Sequence, residues 1–493
     1  MCKDKRRMGD LGMKRILFAA SEAVPFMKTG GLADVTGSLP RYFDSENYDV
    51  RIILPKYACM EESFIENLHF VCHFYVNLGW RKQYAGIFQT KNKGITYYFV
   101  DNEFYFAGPK PYNRIHEDVE KFAFFSKAVL GALPFIDFCP DVIHCHDWQT
   151  GLIPVFLKCS YGDDVYYSGI KTVFSIHNLK FQGRWNIRDV KDITGLPEKA
   201  FCARELEAYG EANYLKGGCV YADAISTVSP GYASEIQTLE GGEGLQGLMY
   251  ERRNQLYGIM NGLDYNEYNP ECDPYIEYNF TKENVIEGKK KNKKALLQEV
   301  GLPDKGCMLI GIVSRMTNQK GFDLIAYMMD EILSTMDVQF VVLGSGEEQY
   351  QNMFEYFRGK YPDRLAVYIG YSEERAHRIY ASADAFLMPS LFEPCGLSQM
   401  MAMRYGTLPI VRETGGLKDS VEPYNEYEGT GTGFSFRNYN AHEMFYVIKY
   451  ANHVFTNYKK DWNKIMLRAM QEDFSWDSSA REYEKMYENV CEL

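Results

Sequence analysis

No Cys-x-x-Cys pair occurs among the 12 cysteines of this 493-residue chain. The usual zinc and redox spacings are therefore missing, and scattered cysteines of this kind predict reduced thiols in a cytosol. No apolar run approaches the roughly 18–20 residues that span a bilayer, so no membrane partner is expected. Residues 1–12 are charged and carry no apolar core, which argues against a secretory leader there. They read as a loose extension, with the folded part beginning at Met13. Basic charge is scarce as well: 54 Lys and Arg stand against 66 Asp and Glu, a net charge of −12. Nucleic-acid binding draws most of its affinity from lysine and arginine, so no nucleic-acid partner is expected. The one basic run, Lys289-Lys290-Lys291-Asn292-Lys293-Lys294, reads as a solvated helix start.

Hydrophobic residues make up 46% and charged residues 24% of the chain, as in ordinary globular proteins. The length suits two domains of roughly 200–250 residues each. Short apolar runs at Arg15–Ala19, Val50–Leu54, Thr96–Val100, Asp141–His144, Thr172–Ile176 and Ala224–Val228 predict buried strands. Helical stretches such as Val119–Leu133 and Gly151–Lys158 lie between them. Residues 263–285 are polar, rich in Tyr and Pro, and aperiodic, which predicts a linker. The alternation then restarts with strands at Met308–Val313, Gln339–Leu343, Ala366–Ile369, Ala385–Met388 and Leu408–Val411. The expected fold class is α/β, with two doubly wound domains whose mostly parallel sheets are covered on both faces. Ligands in such sheets bind beyond the carboxyl ends of the strands, and a cleft between the two domains is the default site.

Several strand-end segments carry chemistry. Lys28-Thr29-Gly30-Gly31-Leu32-Ala33-Asp34 follows the first strand. Adjacent glycines admit a ligand close to the backbone and the next helix offers free N–H groups to an anion, although a plain strand-to-helix turn also favours Gly-Gly. This loop is neither Gly-x-Gly-x-x-Gly nor a P-loop. His144-Cys145-His146-Asp147-Trp148-Gln149 follows another strand. His144 and His146 share a face, which raises a metal site, but no third ligand is near. A strand-end carboxylate beside Trp suits a polyol better. Phe174-Ser175-Ile176-His177-Asn178 ends a strand on a histidine. In the second half, Arg315 and Lys320, five apart at a helix start, can neutralise a diphosphate. Ser390-Leu391-Phe392-Glu393-Pro394-Cys395-Gly396-Leu397-Ser398 puts one carboxylate after a strand and opens a helix. Thr414-Gly415-Gly416-Leu417 repeats that pattern.

These segments, together with Asn261-Gly262-Leu263-Asp264, occur in the order seen in bacterial glycogen synthases and plant starch synthases. From about residue 13 to the C-terminus the chain resembles this family, glycosyltransferase family 5. The resemblance implies a GT-B fold, two doubly wound Rossmann-like domains facing a central cleft. It implies an acceptor-side catalytic domain over 13–263, a linker over 264–285, a nucleotide-sugar domain over 286–474, and a helix over 475–493 crossing back to the first domain. The implied reaction is retaining transfer of glucose from ADP-glucose to the non-reducing end of an α-1,4-glucan in the cytoplasm, with no metal and no cofactor. The runner-up is the same reaction with UDP-glucose. By motif position, Lys28, Arg315 and Lys320 would hold the donor phosphates, and Glu393 the transferred glucose. Tyr371, in Gly370-Tyr371-Ser372-Glu373, would stack on the adenine, and Ser398 would meet the ribose through its backbone. Asp147, His177 and Asn261 would surround the glucose and its acceptor. Gly30, Gly31, Asp34, Tyr112, Asn178, Cys395, Gly396 and Leu397 complete the implied substrate-binding set.

Related GT-B families carry a second Glu eight residues after the first. Here that position is Met401, which argues against sucrose and trehalose-phosphate synthases. A dehydrogenase should show Gly-x-Gly-x-x-Gly with an acid roughly 20 residues on, and none is evident. A phosphorylase would need a recognisable pyridoxal-phosphate lysine, and a pure binding module would not need a phosphate clamp.

Overall fold

The computed structural model describes residues 12–492, so the proposed N-terminal extension falls, apart from Gly12, outside the described residues. The chain divides into two compact units. One comprises the chain to Val228, Ala233–Gly262 and the C-terminal segment from Trp476; the other comprises Ser229–Tyr232 and Leu263–Ser475.

The first unit is built on a nine-stranded sheet. Its strands are β1 (Lys14–Ala19), β2 (Tyr48–Pro55), β3 (His69–Leu78), β4 (Arg81–Asn92), β5 (Ile95–Asp101), β6 (Val142–His146) and β7 (Lys171–Ile176), then, after a small separate sheet of β8 (Arg184–Asn186), β9 (Glu207–Ala208) and β10 (Glu211–Asn213), β11 (Ala224–Thr227) and β12 (Leu256–Gly258). The order is β12-β11-β7-β6-β1-β2-β5-β4-β3. All pairings from β12 to β5 are parallel. Ile16, Leu17, Phe18 and Ala19 of β1 are fully buried, because a central parallel strand is covered on both faces.

The β3–β4 hairpin is the antiparallel edge of this mostly parallel sheet. It pairs antiparallel with β5, and it leaves Phe70 and Tyr75 exposed. Its strands alternate inward Phe74, Val76 and Leu78 with outward residues, the period-2 pattern of a sheet with one wet face.

The second unit has six strands: β13 (Met308–Val313), β14 (Val338–Gly344), β15 (Leu365–Ile369), β16 (Ala385–Met388), β17 (Leu408–Arg412) and β18 (Phe434–Phe436). All are parallel, in the order β15-β14-β13-β16-β17-β18. Counted within the unit this is 3-2-1-4-5-6, the dinucleotide-fold order, which reverses direction between β13 and β16. The first unit has the same reversal between β1 and β6. The segment from Leu263 is irregular in backbone, yet Ile276 and Phe280 are buried in the core of this unit.

Two expectations need correction. The basic run is not simply solvated: it lies inside the helix Val285–Val300. Lys289 is buried and donates to the carbonyls of Ala381 and Tyr405 and to Thr407 Oγ1. Burial pushes its ammonium down to about 7. Lys293 pairs with Asp384 at 2.6 Å. Its neighbours Lys290, Lys291 and Lys294 remain exposed. Helical geometry decides this, because Lys289 and Lys293, four apart, share the inward face. Second, a Gly-x-Gly-x-x-Gly spacing does occur, at Gly242-Glu243-Gly244-Leu245-Gln246-Gly247. It lies between the helices Pro230–Glu235 and Gln246–Glu251 rather than at a strand end, so it lacks the context of a dinucleotide turn.

Candidate active site

In the first unit most candidate residues follow the carboxyl ends of β1, β6 and β7, around the point where strand order reverses, while Tyr112 lies between β5 and β6 in the chain and Asn261 just after β12. The loop after β1 is organised by Glu22, which sequence reasoning missed. Glu22 is 3% exposed. One carboxylate oxygen accepts the Thr29 hydroxyl at 2.8 Å and also the Tyr112 hydroxyl; the other accepts the Thr29 backbone N–H. Tyr112 Oη is also 2.8 Å from Ser21 Oγ. The Tyr112 hydroxyl is thus committed to shaping the loop. Lys28 Nζ lies 2.8 Å from Asp34 Oδ1. The helix Gly31–Ser38 opens at Gly30, whose backbone is extended (φ −161°). A Cβ at Gly30 or Gly31 would meet nothing within 4 Å. The fold of this unit therefore does not require glycine there. A strand-end carboxylate was signal enough to flag Asp147, and the same signal would have flagged Glu22.

Asp147, at the end of β6, has φ 56° and ψ 179°, a conformation nearly confined to glycine and a mark of strain stored at functional sites. Its backbone N–H donates to Ser175 O at 2.9 Å. Its Oδ1 accepts the His177 backbone N–H at 2.7 Å and that of Asn178 at 3.5 Å. Burial pushes the carboxyl up to about 7, against those two donors. Asn178 Oδ1 accepts the Lys180 N–H. His177 shares a 3.0 Å hydrogen bond with His146. Asn261 is 6% exposed and its Oδ1 has no hydrogen-bond partner among the described residues.

In the second unit the reversal between β13 and β16 brings Lys320 and Glu393 together. Lys320 Nζ lies 2.6 Å from Glu393 Oε2, which also accepts the Ser390 hydroxyl at 3.1 Å. Two glycines permit this. Gly321 has φ +77°, and a Cβ there would come within 2.1 Å of Pro389 O; Gly415 has φ +43°, and a Cβ there would come within 2.1 Å of Glu393 O. The Leu391 N–H donates to Gln319 O, and the Gly416 N–H to Glu393 O, so the three strand-end loops are stitched into one surface. Arg315 is exposed and has no ion pair among the described residues. Cys395 is buried. Gly396 (φ +73°) and Leu397 lead into the helix Ser398–Arg404. Met401 is half-buried against the hydrophobic core.

Tyr371 stands after β15, 73% exposed, with its hydroxyl donating to Glu373 Oε2. Glu373 Oε1 accepts the Tyr268 hydroxyl at 3.2 Å. Behind it His377, 1% exposed, lies 2.7 Å from Asp273 Oδ2. Although burial alone would lower it, the carboxylates of Asp273 and Glu373 hold the His377 imidazole up at about 9. This network was not legible in the sequence, because Asp273 sits in an aperiodic segment 104 residues away from His377.

Among the described residues no group of three or more His, Cys, Asp or Glu is arranged to hold a metal ion. No helix is long and apolar enough to cross a membrane.

Residues 15–251 match the family model for the starch synthase catalytic domain, and residues 308–449 that for glycosyl transferases group 1. The glycogen synthase of Lachnospira eligens is 60% identical over 97% of this chain and 100% of its own length. That of Lachnoclostridium phytofermentans is 56% identical over the same shares. The catalytic domain of starch synthase IV from Arabidopsis thaliana, bound to ADP and acarbose, superposes with a TM-score of 0.88 at 30% identity, covering 98% of this chain and 100% of that one. Sucrose-phosphate synthase from Thermosynechococcus elongatus shares the fold at a TM-score of 0.62 and 15% identity. With two Rossmann-like sheets and a lysine–glutamate pair at the reversal point of the second, the chain belongs to the glycogen synthase and starch synthase family of GT-B glucosyltransferases.

Proposed function

We propose that the chain transfers glucose from ADP-glucose to the non-reducing end of an α-1,4-glucan, releasing ADP with retention at the anomeric carbon. The observation that carries this is the Lys320–Glu393 pair at the strand reversal, a phosphate-binding cation beside a carboxylate suited to sugar hydroxyls. Arg315, Lys320 and Lys28 would neutralise the donor diphosphate, charge that serves the departing phosphate without a metal. Tyr371 offers an exposed ring for the base. The ADP bound to the related starch synthase domain supports adenine over uracil. Ser398 would meet the ribose through its backbone, while Asp147, His177 and Asn261 would surround glucose and acceptor.

Glu393 would orient and stabilise the glucosyl unit rather than attack it, since a double-displacement enzyme uses two carboxylates about 5–5.5 Å apart. In the front-face path the C1–O bond to the diphosphate breaks as the glucan hydroxyl bonds to C1, and the leaving phosphate takes the hydroxyl proton. Cytoplasmic residence belongs to this proposal, supported by the acidic net charge of −12 and ten free thiols. Glucose incorporation into glycogen from ADP-glucose and UDP-glucose, measured side by side, tests the donor; faster turnover with UDP-glucose overturns it.

A further inference from the structure

His177 has a partner that nothing in its motif announces. Its Nε2 lies 3.0 Å from His146 Nδ1. Burial lowers both imidazoles, His177 to about 3 and His146 well below its ordinary value. Both rings are therefore neutral at pH 7, and one must donate while the other accepts. His146 Nε2 decides which. It is buried and has no hydrogen-bond partner among the described residues. If His177 Nε2–H donated, His146 would carry its own hydrogen on Nε2, burying an N–H with no acceptor. If His146 Nδ1–H donates, only a bare lone pair is buried at Nε2. Orphaned buried donors are rarer than under-satisfied acceptors.

We propose that His146 is a positioning residue that fixes His177 as the Nδ1–H tautomer, so that His177 presents a donor, and never a base, to a sugar oxygen at the end of β7. The part concerning sugar rests on the proposed function; the tautomer does not. His146 is itself held from behind. The His144 ring stacks on it with centroids 4.2 Å apart. His144 is pinned by the Tyr487 hydroxyl at 2.7 Å and Ser175 Oγ at 2.6 Å, and Tyr487 comes from the C-terminal helix Trp476–Glu492. His144, which with His146 raised a metal site in the sequence, thus acts as a prop.

Two-bond 1H–15N correlation on the full chain labelled with 15N-histidine, without ligand at pH 7, tests this. His177→Gln and His146→Leu spectra supply the assignments. The expected pattern is protonated Nδ1 and bare Nε2 on both His146 and His177. His177 protonated at Nε2 overturns the proposal, whatever the enzyme's donor. His146→Leu should release His177 toward its Nε2–H form and lower kcat about tenfold, the scale of one hydrogen bond, with both KM values little changed. His146→Asn, which keeps an N–H near the Nδ1 position, should recover most of that loss. Equal damage from Leu and Asn would reduce His146 to a packing residue. Should His146→Leu fail to fold, the wild-type spectrum alone decides.

Discussion

Lys320 Nζ and Glu393 Oε2 lie 2.6 Å apart, with side chains only 16% and 8% exposed. The cation expected on the donor phosphates and the carboxylate expected on the glucose are thus partners within one sheet. Lys320→Ala should lower kcat by roughly 10²–10³, the scale of one preorganised charge. It should also destabilise the fold, because it strands a buried carboxylate. Adding Glu393→Gln should restore thermal stability but not activity. Recovery of neither, or a kcat loss of only about twofold for Lys320→Ala, would contradict this assignment.

Asp147 titrates near neutrality, raised from 3.8 to about 7 by burial. If the ionised form accepts sugar hydroxyls, kcat/KM rises with pH through about 7, and Asp147→Asn removes that inflection. The sign for stability is opposite. A carboxyl with a raised folded pKa burdens the folded state increasingly as pH climbs from about 4 to 7. Asp147→Asn should therefore gain stability relative to wild type across that window. A pH profile identical in the variant would exclude Asp147 as the titrating group.

The two Gly-Gly pairs should separate function from folding. Gly31→Ala meets open space and gains helix propensity, so its melting temperature should hold or rise, by up to about 1 kcal/mol of stability, while donor turnover falls. Gly415→Ala meets Glu393 O at 2.1 Å with φ +43° and should cost on the order of 2 kcal/mol or more. Full activity in Gly31→Ala would return that loop to a plain turn.

Tyr371 is oriented by Glu373. Glu373→Ala should raise the KM for ADP-glucose and leave the KM for glucan unchanged. Parallel changes in both would mean that the ring has no special part in base binding.

Chelation with EDTA should leave initial rates unchanged if, as proposed, Lys and Arg meet the diphosphate charge. Loss of activity restored by magnesium would refute that. Likewise, no glucosyl ester should form on Glu393 when the enzyme is incubated with donor alone, as judged by mass of the intact chain.

The sequence by itself determined the α/β alternation, the strand cores and most strand-end motifs. These are local properties: an apolar run of five residues and a glycine after it are visible one segment at a time. It also carried the family, through the order of those motifs. Tertiary structure decided what depends on pairs far apart in the chain. Sheet order brought Lys320 to Glu393 across 73 residues and Tyr112 to Glu22 across 90. It also set His144 against Tyr487 across 343. Burial, too, was a tertiary matter, because a helix face becomes interior only when another element covers it. That is why a run of lysines that reads as solvated holds a buried Lys289, and why the burial that lowers the His146 and His177 imidazoles has no mark in their motifs.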